Sequence, residues 1–152
     1  MKSIFSKIAL FAVFISLVSC AMQGLSTPSG RPEVTVRPPI KRAQNTAIET
    51  FSADGFALTS QTVNALVFER DLPPGQSALL LAGVGNSYHS QPKAVIRLTF
   101  APIGDSVKIY GTVHAVTQGP FGQVKSLDIT QGRSAQDLQN TLLSIQSRVG
   151  TR

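Results

Sequence analysis

Cysteine, histidine and carboxylate are all scarce in this chain, and each shortage removes a class of chemistry. Of 152 residues, one is cysteine, two are histidine and eight are acidic. The single cysteine, Cys20, cannot form an internal disulfide. With only His89 and His114 beside it, there is no His-Glu-x-x-His and no cysteine and histidine set at metal-ligand spacing. Two histidines also leave little for a Ser-His-Asp triad. Gly-x-Ser-x-Gly is absent, since Gly85-Asn86-Ser87-Tyr88-His89 lacks its second glycine. No two carboxylates stand as an obvious acid/base pair. Gly83-Val84-Gly85 lacks the third glycine and following helix of a dinucleotide fingerprint. The 14 basic residues give a formal charge of +6. They are not interleaved with aromatics, which argues against nucleic acid as a partner. The expectation is a protein without catalytic residues, metal or cofactor. Apolar runs are short as well: Ile8 to Val18, broken only by Ser16, falls short of a membrane span.

That run does have a purpose at its position. Lys2 and Lys7 precede it and Leu17-Val18-Ser19-Cys20 closes it, the charge, apolar and small-residue order of an export signal. The closing tetrapeptide resembles the lipobox of bacterial lipoproteins. That resemblance implies a diacylglyceryl group on the Cys20 thiol, cleavage after residue 19 and acylation of the new amino group. Acyl chains contribute about 0.8 kcal/mol per buried methylene, so two or more anchor stably. Cleavage would remove two lysines and leave 133 residues, the size of one domain with one core. Ala21 and Met22 follow the cysteine. In the enterobacterial sorting pattern that this resembles, Asp directly after the cysteine retains a lipoprotein at the inner membrane. Its absence implies the periplasmic side of the outer membrane. Residues 20–32 are rich in Ser, Thr, Gly and Pro and read as a flexible linker. Arg31, Arg37, Lys41 and Arg42 face only Glu33, so this stretch carries much of the positive charge.

Residues 33–152 read as a single α+β domain. Val34 and Val36 share one face of a short strand over 33–37, which Pro38-Pro39 stops. Ile40, Ala43, Ala47, Ile48 and Phe51 are spaced for a helix over 40–53, and Asp54-Gly55 ends it. Phe56 and Leu58, then Leu66 and Phe68, alternate as a hairpin around 62–64. The apolar stretch 77–84 fits a buried helix or a buried strand equally. Ala94, Ile96, Leu98 and Phe100 alternate on one strand. Val107, Ile109, Gly111, Val113 and Ala115 alternate on the next, with a turn over 102–105. Leu138, Leu142, Ile145 and Val149 form the stripe of a last helix from about Ala135, which Ser134 and Asp137 would cap. The order is β-α-β-β, a linking segment, then β-β-α. Packing both helices on one face of an antiparallel sheet satisfies every apolar face, in a helix-grip or TBP-like two-layer sandwich.

The stretch from Pro92 to Gln146 resembles small uncharacterised lipoproteins of Gram-negative bacteria. The residues that carry the likeness are Pro92, the 94–100 and 107–116 strands, the Gly119-Pro120-Phe121-Gly122 loop and the terminal helix around Leu138-Gln139 and Leu142. The group implies an envelope location and no reaction. The expected function is a membrane-anchored, non-enzymatic module that binds an envelope protein or supports an assembly. The alternative is a small-molecule or lipid-binding module with a pocket between sheet and helix. Two side chains are candidate contacts. Phe121 either projects from its Gly-Pro loop or folds back on the sheet edge, and Tyr88 lies beside the apolar 79–81 stretch, which is either buried or a partner surface.

Overall fold

A computed structural model of the chain describes residues 25–74, 91–118 and 122–150. Six strands and two helices are seen there: β1 (Glu33–Val36), α1 (Ile40–Ala53), β2 (Ala57–Gln61), β3 (Ala65–Asp71), β4 (Lys93–Ile103), β5 (Ser106–Gln118), β6 (Val124–Asp128) and α2 (Gly132–Gly150). The strands form one antiparallel sheet in the order β1-β5-β4-β3-β2, with β6 also on β5. Both helices lie on one face. The α+β sandwich read from the sequence is therefore the architecture. The segment 77–84 lies outside the described residues.

Period-two patterning places the core. Leu66 and Phe68 of β3, Ile96, Leu98 and Phe100 of β4, Ile109 of β5 and Val34 of β1 all point to the helix layer and are buried. Leu142 and Ile145 descend on them from α2, and Ala43, Ala47 and Phe51 from α1. Phe51 stacks on Phe68 with ring centroids 4.8 Å apart. The opposite face carries Arg97, Thr99, Lys108, Tyr110, Thr112 and His114, which are half-buried or exposed. Where α2 crosses β5 the approach is too close for a side chain. A Cβ on Gly111 would stand 2.7 Å from Leu138 Cδ2.

The outer edge of β5 is shared. Residues 107–110 pair with β1 and residues 114–118 with β6. Between them, Gly111 N–H donates to Pro32 O (3.0 Å) and Ile129 N–H to Val113 O (2.9 Å). The Thr130 hydroxyl accepts from Val113 N–H at 2.8 Å and donates to its carbonyl at 3.2 Å. The free edge of β1 is also covered. Gln139 of α2 accepts from Glu33 N–H and donates to Glu33 O, and Gln146, two turns on, donates to Thr35 O. Covering an edge in this way keeps it from pairing with another chain.

Three expectations are corrected. The linker expected to run to Pro32 is folded from Thr27 onward. Gly30 N–H donates to Thr27 O, the Thr27 hydroxyl donates to Arg31 O, and Pro32 is fully buried. Ser, Thr and Gly, which make chains flexible when free, here supply the bonds of a turn. The last helix begins at Gly132, so Ser134 sits in its first turn and does not cap it. Asp137 instead lies 3.9 Å from Arg133 one turn away. β6 was not expected at all. Its five residues are exposed on both faces, so no alternation marks it.

Candidate functional site

The cleft on the helix side of the sheet is built from the end of α1. Asp54 follows the helix and Gly55 takes a φ of 81°. Phe56 N–H then donates to Phe51 O and Gly55 N–H to Ser52 O, the paired bonds of a Schellman cap. Such a cap brings the residue after the glycine onto the last turn. Phe56 accordingly meets Phe51 edge to face at 5.8 Å. Arg70 of β3 seals the corner: its guanidinium donates to Asp54 O at 2.9 Å and lies 4.4 Å from the centre of the Phe56 ring. A stacked, hydrogen-bonded arginine is held in place far better than a free surface cation.

Between this corner and the first turns of α2 opens a cleft of ≈ 570 Å³. Its floor is Leu72, just past β3, with Ala94, Ile96 and Val113 of the sheet, and Leu138 of α2 walls it. The polar rim has Asp54 and Arg70 on one side and Arg133, Ser134, Asp137 and Thr141 on the other. The two arginines are matched by two aspartates. The site therefore offers apolar surface below and balanced charge above, suited to holding an amphipathic group.

Two polar clusters lie on the other face. Glu33, with its side chain 4% exposed, pairs with Lys108 at 3.0 Å. The Ser29 hydroxyl also donates to the Glu33 carboxylate. The Ser29 bond, with Lys108 helping, holds the Glu33 carboxyl below the usual carboxylate range against the opposing effect of burial. The hydrogen bond to Glu33 in turn raises the Lys108 ammonium above its ordinary value, against the opposing effect of burial. Further along, Ser126 Oγ lies 3.3 Å from His114 Nδ1, and Asp128 stands opposite His114 in register. Serine, histidine and aspartate thus meet on neighbouring strands. The Asp128 carboxylate, however, is engaged with Thr130, whose side chain and backbone N–H lower its pKa, the N–H donating to Oδ1 at 2.8 Å. His114 is the cross-strand surface residue that its place on the polar face implied. Among the described residues, no group of three or more His, Cys, Asp or Glu side chains is placed to hold a metal ion.

The residues singled out from the sequence, Cys20, Tyr88 and Phe121, lie outside the described residues, as do His89 and the 79–81 stretch. The cleft residues were not anticipated. Asp54-Gly55 read only as a helix stop. The available signal was the aromatic on each side of it, Phe51 and Phe56, at the spacing of the hydrophobic contact in a Schellman cap. No protein-family model matches the chain, and no curated protein matches it either.

Proposed function

We propose that this chain is a lipid-anchored, non-enzymatic binding module of the cell envelope, attached through Cys20 to the periplasmic side of the outer membrane. Its binding element is the cleft beside α2, and its ligand is a small amphipathic molecule, acyl lipids included. The observation that carries this reading is the cleft itself. Its ≈ 570 Å³ falls within the roughly 300–1,000 Å³ of small-ligand sites. The floor residues Leu72, Ala94, Ile96 and Val113 remain 6–7% exposed, while the core around Leu66 and Leu98 is at 0%.

Anilinonaphthalene sulfonate, which brightens on leaving water, tests this directly. Ala94→Phe should fill the floor and weaken probe binding about tenfold or more, some 1.4 kcal/mol, with the domain still folded. Arg70→Met should weaken it while leaving the floor intact. Undiminished binding to both folded variants would overturn the assignment.

A second reading, a protein partner, is favoured by β6. Val124 is 66% and Leu127 47% exposed on this edge strand. An extended peptide could add to such an edge. Recovery of a partner from native membranes that is lost on Leu127→Ser but kept on Ala94→Phe would favour this reading over the cleft.

A further inference from the structure

We infer that the native tether holds the β1 flank of the domain and the outer side of α2 against the bilayer surface, leaving the cleft on the flank of α2 turned away from the anchor. The inference rests on the lipid anchor at Cys20 proposed above. Its structural basis is the folded turn. Leu25, Ser26 and Thr27 form one wall of a groove of ≈ 530 Å³ whose other wall is Gln136, Gln139, Asn140 and Leu143 of α2. The chain therefore reaches the domain at Leu25, well before β1 begins.

Reach decides orientation. From Cys20 to Leu25 there are five steps, at most about 17 Å of extended chain. A free linker to Glu33, thirteen steps, would reach about 45 Å. A domain of this size has a radius of gyration near 14 Å, so it is roughly 35 Å across. A tether of about 45 Å would let it roll freely, whereas one of about 17 Å cannot bring its far side to the lipid. The side held down suits a headgroup layer. Its described groove residues carry no charge, and Leu143 is 46% exposed there. Arg133, Ser134, Asp137 and Thr141, which face the cleft, occupy the other flank of the same helix. The sheet order sets the opposite extreme: β2 lies four strands from β1, about 19 Å away.

The acylated full chain, placed in phosphatidylethanolamine and phosphatidylglycerol vesicles containing nitroxide-labelled lipid, provides the test. Acylation occupies Cys20, so a fluorophore can be placed on Asn140→Cys or on Ser60→Cys of β2, both exposed positions. Lipid-borne quenching should be several-fold stronger at Asn140 than at Ser60. Inserting roughly 20 Gly and Ser residues between Gly24 and Leu25, a flexible spacer, should collapse the contrast. Equal quenching with the native tether, or stronger quenching at Ser60, would overturn the orientation while leaving the anchor standing. A contrast that survives the spacer would overturn the tether as its cause. Failure of the native processed chain to bind vesicles at all would refute the anchor and, with it, the orientation.

Discussion

Replacing Gly111 by alanine forces a choice between α2 and β5. The added methyl would stand 2.7 Å from Leu138 Cδ2 and 3.1 Å from Leu138 Cγ, where carbon pairs are at their best at about 3.5–4.0 Å. The strand cannot withdraw cheaply. Gly111 is opposite Leu98 of β4, and its N–H is bonded to Pro32 O on the other side. Leu138 must therefore swing toward the cleft or α2 must lift. Overpacking of this kind costs about 1–3 kcal/mol. At about 3–5 °C per kcal/mol for a domain of this length, the midpoint should fall by roughly 3–15 °C. Thermal and urea unfolding of a soluble form lacking the apolar leader would measure it. A double-mutant cycle locates the cause: Gly111→Ala with Leu138→Ala should cost at least about 1 kcal/mol less than the sum of the single changes. If Leu138 is driven into the cleft, probe binding should fall in the Gly111→Ala protein as well. Strict additivity, or a neutral Gly111→Ala, would refute the close approach of α2 to the sheet.

Leu142, fully buried in the middle of α2, should lose about 2–5 kcal/mol on change to Ala. Leu142→Asp should unfold the domain, because it buries an unpaired charge; circular dichroism and urea midpoints would report both. Glu33 titrates below the ordinary carboxylate range in the folded state, so its stabilisation is complete above the unfolded pKa of about 4.3. It is lost as pH falls through the lower folded value. Urea unfolding across an acid series should therefore find wild type and Glu33→Gln far apart at neutral pH and converging in strong acid; a constant gap would be the contrary result. Lys108 works in the other direction, its raised pKa keeping the pair charged until pH climbs past the ordinary lysine range. Cys20→Ala should yield an uncut precursor or a form that leaves the membrane fraction, and mass spectrometry of an unmodified Cys20 within an uncut wild-type chain would contradict the anchor.

Burial made much of the fold readable. Val34 and Val36, Ile96 to Phe100, and Val107 to Val113 alternate because only one face of each strand meets the helices. Leu138, Leu142, Ile145 and Val149 recur at helical steps for the same reason. β6 escaped notice because pairing with β5, not burial, holds Val124 to Asp128 in place. The turn over 27–32 escaped because its order comes from hydrogen bonds and from Pro32 docking against β5, contacts that composition cannot register. The cleft was legible only as a general possibility. Phe51, Phe56, Arg70, Leu138 and Asp137 come from two helices, a strand and a cap, and their meeting is a tertiary event. The charge of Arg70 and the turn at Asp54-Gly55 were each visible in the sequence, but their contact was not.

The divided edge of β5 has a consequence for the order of assembly. β4 and β5 are joined by a tight turn at Gly104 and Asp105, and β6 follows within a few residues, so these three strands can pair locally. β1 must instead find residues 107–110 across 70 or more intervening positions. Loop-closure entropy delays contacts of that span. The first strand of the sequence is thus expected to be the last to join the sheet. Until it does, Pro32 has no Gly111 to bind and Glu33 has no Lys108, so the stretch before β1 is not yet fastened to the sheet. For the anchor proposed at Cys20, the tether would then be long until β1 docks and short afterwards, so the reach of the domain would depend on the completion of its own sheet.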